Sequence, residues 1–307
     1  MKPLQFGKAK PPGKKRYAFF KYGFFVLLAL HLASMYVHYD YWVFRKLITQ
    51  HYIFTDALDT LYAETIGAEN FRGYGRDFDR MVAGVVTQRI RAINQDRFTY
   101  LYTPAQYQAA REGTRTRAQA VFYEAVTDQA VHLFLPNIST GTRQFVLDNR
   151  EALAPYRYLI LDLRGNYGGM LADFHRIAEL FVGRDAVLAH ERTRWSIFSN
   201  TITARRDAFF NFEGIIILQN GRTASSAEGL IQALQYNLDN VTTVGTNTFG
   251  KGIGQVTIPM TGGYAVRATV MQLEGPDGES IHRVGLPPDI LYEGEDMLGF
   301  ALALLED

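Results

Sequence analysis

Residues 214–244 contain the patterns of a strand, a helix and a second strand in close succession. The run Gly-Ile-Ile-Ile-Leu at 214–218 is apolar throughout, which is typical of a strand covered on both faces. Helical spacing follows at 224–235, and a second apolar strand at 241–244. This unit predicts a buried sheet with a helix packed against it.

The same alternation runs through the second half of the chain. We predict strands at 120–126, 131–135, 158–163, 215–218, 241–244 and 264–271, and helices at 141–153, 168–181, 224–235 and 295–305. Strands separated by helices indicate an α/β core. The segment 184–213 is rich in arginine and aromatic residues, and we expect it to form a strand pair or a lid near the cleft.

Two serines and a lysine stand at the turns of this unit. Ser225 and Ser226 open the predicted helix, and Lys251 lies between two glycines beyond the second strand. A serine hydroxyl becomes a nucleophile when a base removes its proton, and lysine can be that base if desolvation keeps its amine neutral. The pattern therefore permits a Ser-Lys hydrolase. It also permits a purely structural role, because Ser225 and Glu228 form the S-x-x-E pattern of a capping box.

A glycine pair follows the predicted strand at 158–163. Gly168 and Gly169 are expected to open a helix and to leave backbone N–H groups uncovered, and such donors can stabilise an oxyanion. Glycine is also what a tight strand-to-helix joint requires, so both roles are possible. Asp162 and Arg164 flank the end of the strand, where paired charges are expected to hold the loop in place.

Four segments, in this order, resemble those of the S41 serine peptidases, the C-terminal processing or tail-specific proteases. LILDLRGNYGG at 159–169 resembles the family's LILDLRGNPGG segment, with Tyr167 in place of proline, and TASSAEG at 223–229 resembles its SASASE nucleophile box. GTNTFGKGIGQ at 245–255 is similar to the family's lysine box. DGESIHRVGLPPDI at 277–290 is similar to the strand and turn that follow that box.

The resemblance implies a catalytic role for three residues. Ser225 would be the nucleophile, Lys251 the general base, and Gln255 the residue that orients the lysine amine. Ser226 stays open as an alternative nucleophile, because it lies 25 positions before Lys251, the spacing expected for the family, whereas Ser225 lies 26 positions before it.

The resemblance also implies an oxyanion hole and a fold. The backbone N–H of Gly168 or Gly169 and that of Ser226 would hold the oxyanion. The fold would be α/β, with the β-β-α spiral core shared by crotonases and Clp proteases. Apart from the resemblance, the residues before that core predict an N-terminal helical region and one transmembrane helix.

The N-terminus has the pattern of a membrane anchor. Seven basic residues and no acidic residue occur in the first 22 positions, and an apolar run follows at 22–37. This predicts a basic cytoplasmic tail at 1–16 and a transmembrane signal anchor at 17–39. The expected location is the cell membrane, single-pass, with the N-terminus cytoplasmic and the rest extracytoplasmic. A cleaved signal peptide is the alternative.

The remaining chain divides into two predicted parts. Residues 40–118 are expected to form the N-terminal helical region, with helical spacing at 47–66 and 77–94, and residues 119–307 the peptidase domain. Most processing proteases carry a peptide-binding PDZ domain between these parts, and the sequence leaves no room for one here. The resemblance is therefore to a member without a PDZ domain, in which the cleft itself or a separate adaptor protein would recognise the substrate.

Composition excludes several other classes of function. The chain has no cysteine, and its seven histidines show no ligand spacing, so neither a metal nor another cofactor is expected. The formal net charge is +1, and no basic stripe for nucleic acid follows the N-terminal tail. The expected partners are a protein or peptide substrate and the membrane, with homo-oligomerisation left open.

The function predicted from the sequence is that of a membrane-anchored serine endopeptidase acting on extracytoplasmic proteins or peptides. Two alternatives use the same fold without turnover. One is a catalytically inactive peptide-binding protein, and the other is a membrane-tethered scaffold.

Overall fold

A computed structural model describes residues 14–55, 75–116 and 120–305 of the protein. Most of the predicted basic tail and the second half of the helix predicted at 47–66 lie outside the described residues. The sequence elements that carry the proposed chemistry all lie inside them.

The N-terminal part begins with two helices set at an angle. Helix α1 spans Lys14–Val37 and α2 spans Tyr39–Lys46, and a π-helical turn at Leu47–His51 continues α2. Within the described ranges no single helix is long and apolar enough to cross a membrane alone, whereas Phe20–Ser34 and Tyr39–His51, bent by 74°, meet that criterion together. A single transmembrane helix at 17–39 is therefore not confirmed.

The buried carboxylate of Asp40 fixes the start of α2 to the body of the protein. It accepts hydrogen bonds from the backbone N–H of Thr261 at 2.8 Å and from its hydroxyl at 2.5 Å. The end of the apolar helix is thereby held close to the folded region that follows.

The helical region also contributes a strand that sequence patterns missed. Helix α3 spans Gly75–Asn94, which confirms the helix predicted at 77–94, and α4 spans Pro104–Thr116. Between them lies strand β1, Tyr100–Tyr102, which joins a sheet made mostly by the second half of the chain.

A six-stranded sheet forms the centre of the second half. Its strands are β2 (Phe122–Ala125), β3 (Ala130–Phe134), β4 (Tyr158–Asp162), β7 (Gly214–Gln219), β8 (Val241–Gly245) and β11 (Ile290–Leu291). They lie in the order β11-β8-β7-β4-β3-β2, and every pair is parallel except β2 with β3. The carboxyl ends of the central parallel strands therefore meet at one edge, as in other open α/β sheets.

The second sheet is antiparallel and built around one long strand. Its strands from the second half are β5 (Val187–Thr193), β6 (Asn200–Thr203), β9 (Ile253–Pro259) and β10 (Ala265–Glu274). Strand β10 pairs with β1, β5 and β9. Strands β5 and β6 pair with each other and confirm the strand pair expected within 184–213, whereas β9 was not predicted.

Helices α5 (Thr140–Leu153), α6 (Leu171–Ala178), α7 (Ser226–Asn237) and α8 (Met297–Ala303) complete the described fold. The largest apolar cluster joins both sheets to three of these helices. Its fully buried members include Leu159, Leu161, Phe174, Ile217, Leu230 and Leu234. This core fixes the turns after β4, β7 and β8, where the candidate catalytic residues lie.

Candidate active site

Ser225 occupies the sharp turn between β7 and α7. It is the N-cap of α7 and has φ +60° and ψ −124°, a backbone conformation that non-glycine residues rarely adopt. Strain of this kind persists only where the surroundings enforce it. Here its backbone N–H donates to Glu228 Oε2 at 2.7 Å, the backbone half of the predicted capping box. The turn leaves the Ser225 side chain half-buried at the start of the helix.

Ser226 has a different environment. It is fully buried, and its hydroxyl donates to the carbonyl oxygen of Gly169 at 2.8 Å. Among the described residues no hydrogen bond from the Ser226 backbone N–H is found. The hydroxyl of Ser226 thus ties two turns together, while its N–H stays available at the N-terminus of α7.

The carboxylate of Glu228 connects the serine turn to the lysine turn. Glu228 is fully buried, and its Oε1 accepts from the Thr248 hydroxyl at 2.6 Å and from the Gly250 N–H at 2.7 Å. Its Oε2 accepts from the backbone N–H groups of Ser225 at 2.7 Å and of Lys251 at 2.9 Å. Glu228 is therefore more than a helix cap, because one buried charge sets the relative position of both candidate catalytic residues.

Lys251 lies in the turn that precedes β9, against apolar surface. Its Nζ is 5.2 Å from the ring centroid of Phe98, and its side chain is half-buried. Burial, aided by the nearby Arg267 guanidinium and opposed by the Glu228 carboxylate, lowers the pKa of Lys251 to about 8. Within the described chain no hydrogen bond joins Lys251 Nζ to the Ser225 hydroxyl. The structure thus brings the two turns together through Glu228, without a direct hydrogen bond between the two reactive groups.

Gln255 lies on β9 with its side chain turned to another partner. Its Oε1 accepts from Arg267 Nη2 at 3.0 Å, and its Nε2 is buried without a hydrogen-bond partner among the described residues. No hydrogen bond links Gln255 to Lys251 in that part of the chain. The orienting role implied by the family resemblance therefore stays a prediction.

The glycine pair packs against the serine turn from the other side. A Cβ built on Gly168 would lie 2.5 Å from the Ala224 carbonyl oxygen and 2.8 Å from both Ser225 Cβ and Ser226 N. Gly168 also has φ +85°, a conformation that glycine adopts without penalty. Only glycine can approach the turn at Ser225 this closely.

The two glycine N–H groups differ in their partners. That of Gly168 donates to Asn166 Oδ1 at 2.9 Å, whereas no acceptor for that of Gly169 is found among the described residues. The expectation that the pair opens a helix at 168 is wrong. Helix α6 begins at Leu171 because residue 169 forms a parallel β-bridge with Ile138, which holds the segment extended up to Met170.

Asp162 and Arg164 form a structural ion pair at the end of β4. Arg164 Nη2 donates to Asp162 Oδ2 at 2.6 Å, and His132 Nε2 lies 3.3 Å from the same oxygen. Burial alone would raise the pKa of Asp162, but the hydrogen bonds from His132 and Arg164 outweigh it and lower the pKa. These contacts support the expectation that the pair holds the loop.

Sequence patterns missed three contributors to the site. Asn166 and Thr248 sit within the glycine and lysine segments, and only their contacts with Gly168 and Glu228 distinguish them from ordinary turn residues. Arg267 is a charged residue between buried neighbours, Val266 and Ala268, a placement that could have singled it out.

Comparison with known proteins places this arrangement in a family. The sequence profile described as Peptidase family S41 matches residues 130–292, more than half of the chain. A carboxyl-terminal-processing protease from Synechocystis sp. is 34% identical over 142 residues, covering 46% of this chain and 32% of that protein. A carboxy-terminal-processing protease from Bartonella bacilliformis is 34% identical over 134 residues, covering 44% and 30%. The chain thus matches about a third of the length of these curated relatives.

Solved structures show the same fold over most of the chain. The photosystem II D1 C-terminal processing protease has a TM-score of 0.65 at 16% identity, covering 83% of this chain and 92% of that one. A lipoprotein from Streptococcus agalactiae has a TM-score of 0.68 at 17% identity, covering 88% and 96%. At such identities the likeness concerns the mixed α/β fold. Together with the profile match, which includes the Ser225 and Lys251 turns, it shows that the chain belongs to peptidase family S41.

Proposed function

We propose that this protein is a serine endopeptidase in which Ser225 is the nucleophile and Lys251 the general base. The observation that carries the proposal is the Glu228 carboxylate, which binds the backbone of both residues through the same oxygen. Two further features support it. Lys251 has a pKa lowered to about 8, so its amine is neutral near physiological pH far more often than that of an ordinary lysine. Ser225 has the conformation of a strained turn that presents its side chain.

The reaction would proceed as an acyl transfer. Ser225 Oγ attacks the carbonyl carbon of the scissile peptide bond while Lys251 Nζ takes the hydroxyl proton. The oxyanion accepts hydrogen bonds from the N–H groups of Ser226 and Gly169, for which no acceptor is found in the described chain. The lysine ammonium then protonates the leaving amine. Water, deprotonated by the same lysine, then attacks the acyl carbon. The bond to Ser225 Oγ breaks, and the lysine ammonium returns the proton to that oxygen, which restores the free enzyme.

The choice of Gly169 over Gly168 follows from their partners. The Gly168 N–H already donates to Asn166 Oδ1, and the oxyanion would have to displace that bond. The role of Gly168 is instead steric. Its lack of a side chain lets the glycine segment pack against the Ser225 turn, since a Cβ there would lie 2.8 Å from Ser226 N. The second donor is therefore assigned to Gly169.

Incubation with an unfolded protein tests the proposed activity. The full-length chain, purified in non-ionic detergent, should produce fragments that mass spectrometry identifies as products of internal peptide-bond cleavage. Ser225→Ala and Lys251→Ala should each stop the cleavage and leave the thermal unfolding transition in place. Continued cleavage by either variant would contradict the proposed dyad.

A peptide-binding protein without turnover is the second candidate. It is favoured by the lack of a hydrogen bond between Ser225 and Lys251 in the described structure and by the contact of Gln255 with Arg267. In that case the wild-type chain would bind unfolded protein or peptide and release it uncut. The same incubation, followed by recovery of intact bound peptide, distinguishes the two candidates.

We further propose that α1 anchors the protein in the cell membrane with the catalytic region outside the cytoplasm. Large apolar side chains are exposed along α1, including Phe24, Phe25, Leu27, Leu30 and Leu32. Such a surface is unfavourable in water and favourable in a bilayer. The basic N-terminal residues favour the cytoplasmic side.

Protease protection tests this orientation. A tag at Met1 should survive protease added to intact cells, whereas the region after Asp40 should be degraded. A soluble product whose N-terminus lies between Ser34 and Asp40 would instead indicate a cleaved signal peptide.

A further inference from the structure

Arg267 lies beside the candidate active site, in the middle of β10. In the two flanking strands it is paired with Tyr100 of β1 and with Thr257 of β9. Its Nη2 donates to Gln255 Oε1 at 3.0 Å and its Nη1 to the Tyr102 hydroxyl at 3.3 Å. Both acceptors are neutral, and the buried Nε has no partner among the described residues.

Two other arginines of the described fold are paired with acids. Arg192 on the neighbouring strand β5 binds Glu274 at 2.9 Å, and Arg164 binds Asp162 at 2.6 Å. No carboxylate lies within 4.0 Å of the Arg267 guanidinium in the described part of the chain. A half-buried guanidinium without a counter-charge is unfavourable, because it loses hydration and gains no ion pair.

The acid nearest to the lysine turn is not available to neutralise Arg267. The Glu228 carboxylate is fully buried and already accepts four hydrogen bonds from the serine and lysine turns. Lys251 adds a second basic group within electrostatic range of Arg267. Two basic groups, Arg267 and Lys251, therefore lie near each other, and the acid closest to them is already used by four donors.

We propose that Arg267 binds a carboxylate of the peptide substrate beside the Ser225–Lys251 site. The planar guanidinium offers paired N–H donors that match the two oxygens of a carboxylate. Gln255 and Tyr102 hold the side chain ready without neutralising it. This inference rests on the proposed peptidase function and adds its substrate class, peptides with a carboxylate close to the scissile bond. That carboxylate is either the C-terminus of the peptide or an aspartate or glutamate side chain.

Peptide binding to a catalytically silent protein tests the inference separately from turnover. Full-length Ser225→Ala in detergent is titrated with four fluorescent peptides of otherwise equal sequence. One has a free C-terminus and neutral side chains, one has an amidated C-terminus, and two amidated peptides carry an internal Glu or its Gln counterpart. We expect at least one carboxylate-bearing peptide to bind roughly tenfold or more tightly than its neutral partner, since a charge-assisted hydrogen bond is lost with the carboxylate. A difference between the free and the amidated C-terminus would identify the C-terminal carboxylate as the group that Arg267 binds. A difference between the Glu and the Gln peptide would identify an acidic side chain.

The preference should disappear when the Arg267→Met substitution is added and should persist with Arg192→Met, the matched control on β5. If Arg267→Met does not fold, Arg267→Lys replaces it and should reduce the preference severalfold, because an ammonium cannot make the two-point contact. The inference would be overturned if all four peptides bound equally or if none of them bound. It would also be overturned if the preference survived replacement of Arg267. A wild-type protein that shows the preference but cuts nothing would contradict the peptidase proposal alone.

Discussion

Ser225 and Lys251 donate their backbone N–H groups to one oxygen atom, Glu228 Oε2, at 2.7 and 2.9 Å. The two residues lie 26 positions apart, on turns that follow different strands of the same sheet. Because the shared acceptor is a buried charge, small displacements of either turn are energetically costly. The spacing between the serine and lysine turns is thus set by a third residue.

Glu228→Gln should separate the two turns. Each carboxylate oxygen of Glu228 accepts two hydrogen bonds. In glutamine one of these oxygens is replaced by an NH2 group, which cannot accept, so two buried donors lose their acceptor. We expect a loss of about 3 kcal/mol in the free energy of unfolding and a fall in kcat on the order of a hundredfold from misplacement of the reacting groups. Urea denaturation and peptide cleavage measure the two effects. Glu279→Gln, at an exposed position, should change neither.

The cleavage rate should depend on the ionisation of Lys251. Its pKa is lowered to about 8, so the fraction of neutral base, and the rate with it, rises with pH until about pH 8 and then levels off. Below that value the rate should fall about tenfold per pH unit. Arg267→Met removes a neighbouring positive charge that lowers this pKa, and the rise should then move to higher pH. A profile unchanged by this substitution would show that Arg267 does not act on the base.

The two neighbouring serines should respond differently to alanine. Ser226→Ala loses one neutral hydrogen bond, to the Gly169 carbonyl, and should cost about 1 kcal/mol of stability while most activity remains. Ser225→Ala removes the N-cap hydroxyl of α7 and should also cost about 1 kcal/mol of stability. It should reduce kcat by several orders of magnitude, unlike Ser226→Ala. The opposite pattern would identify Ser226 as the nucleophile.

Alanine at Gly169 should damage the fold as well as the site. A Cβ there would lie 1.7 Å from the Ile138 carbonyl oxygen, so the β-bridge between these segments must open. We expect a destabilisation of about 3 kcal/mol or more together with loss of cleavage. Gly183→Ala is the matched control, because nothing lies within 4 Å of a Cβ at that exposed position. Thermal unfolding of both variants checks the prediction, and equal melting temperatures would refute it.

The elements that local patterns predicted are those with strong apolar periodicity. The parallel strands β3, β4, β7 and β8 and the helix α7 were found within one or two residues, because runs such as 214–218 fit a strand buried on both faces. Strand β9 was missed because all its residues after Ile253 are half-buried or exposed, without the alternation that indicates a strand, and it forms only by pairing with β10. The start of α6 was misplaced because the bridge from residue 169 to Ile138, a long-range contact, holds the glycine pair extended.

The candidate site divides in a similar way. The serine and lysine turns could be found because both contain short, distinctive sequences. The four-donor role of Glu228 and the position of Arg267 could not, since each depends on strands that meet only in the folded sheet. The S-x-x-E pattern predicts only a helix cap for Glu228, and the pattern of the strand predicted at 264–271 gives no role to Arg267. Only their partners show what each can do.

Direct detection of the acyl-enzyme is the most decisive test of the proposed mechanism. The full-length protein is mixed with an activated ester of a short peptide, quenched in acid within seconds, and digested for peptide mapping by mass spectrometry. We expect an acyl group on Ser225 in the wild type, a strongly reduced yield in Lys251→Ala, and none in Ser225→Ala. Acylation of Ser226, or cleavage of peptides with no acyl group on either serine, would contradict it.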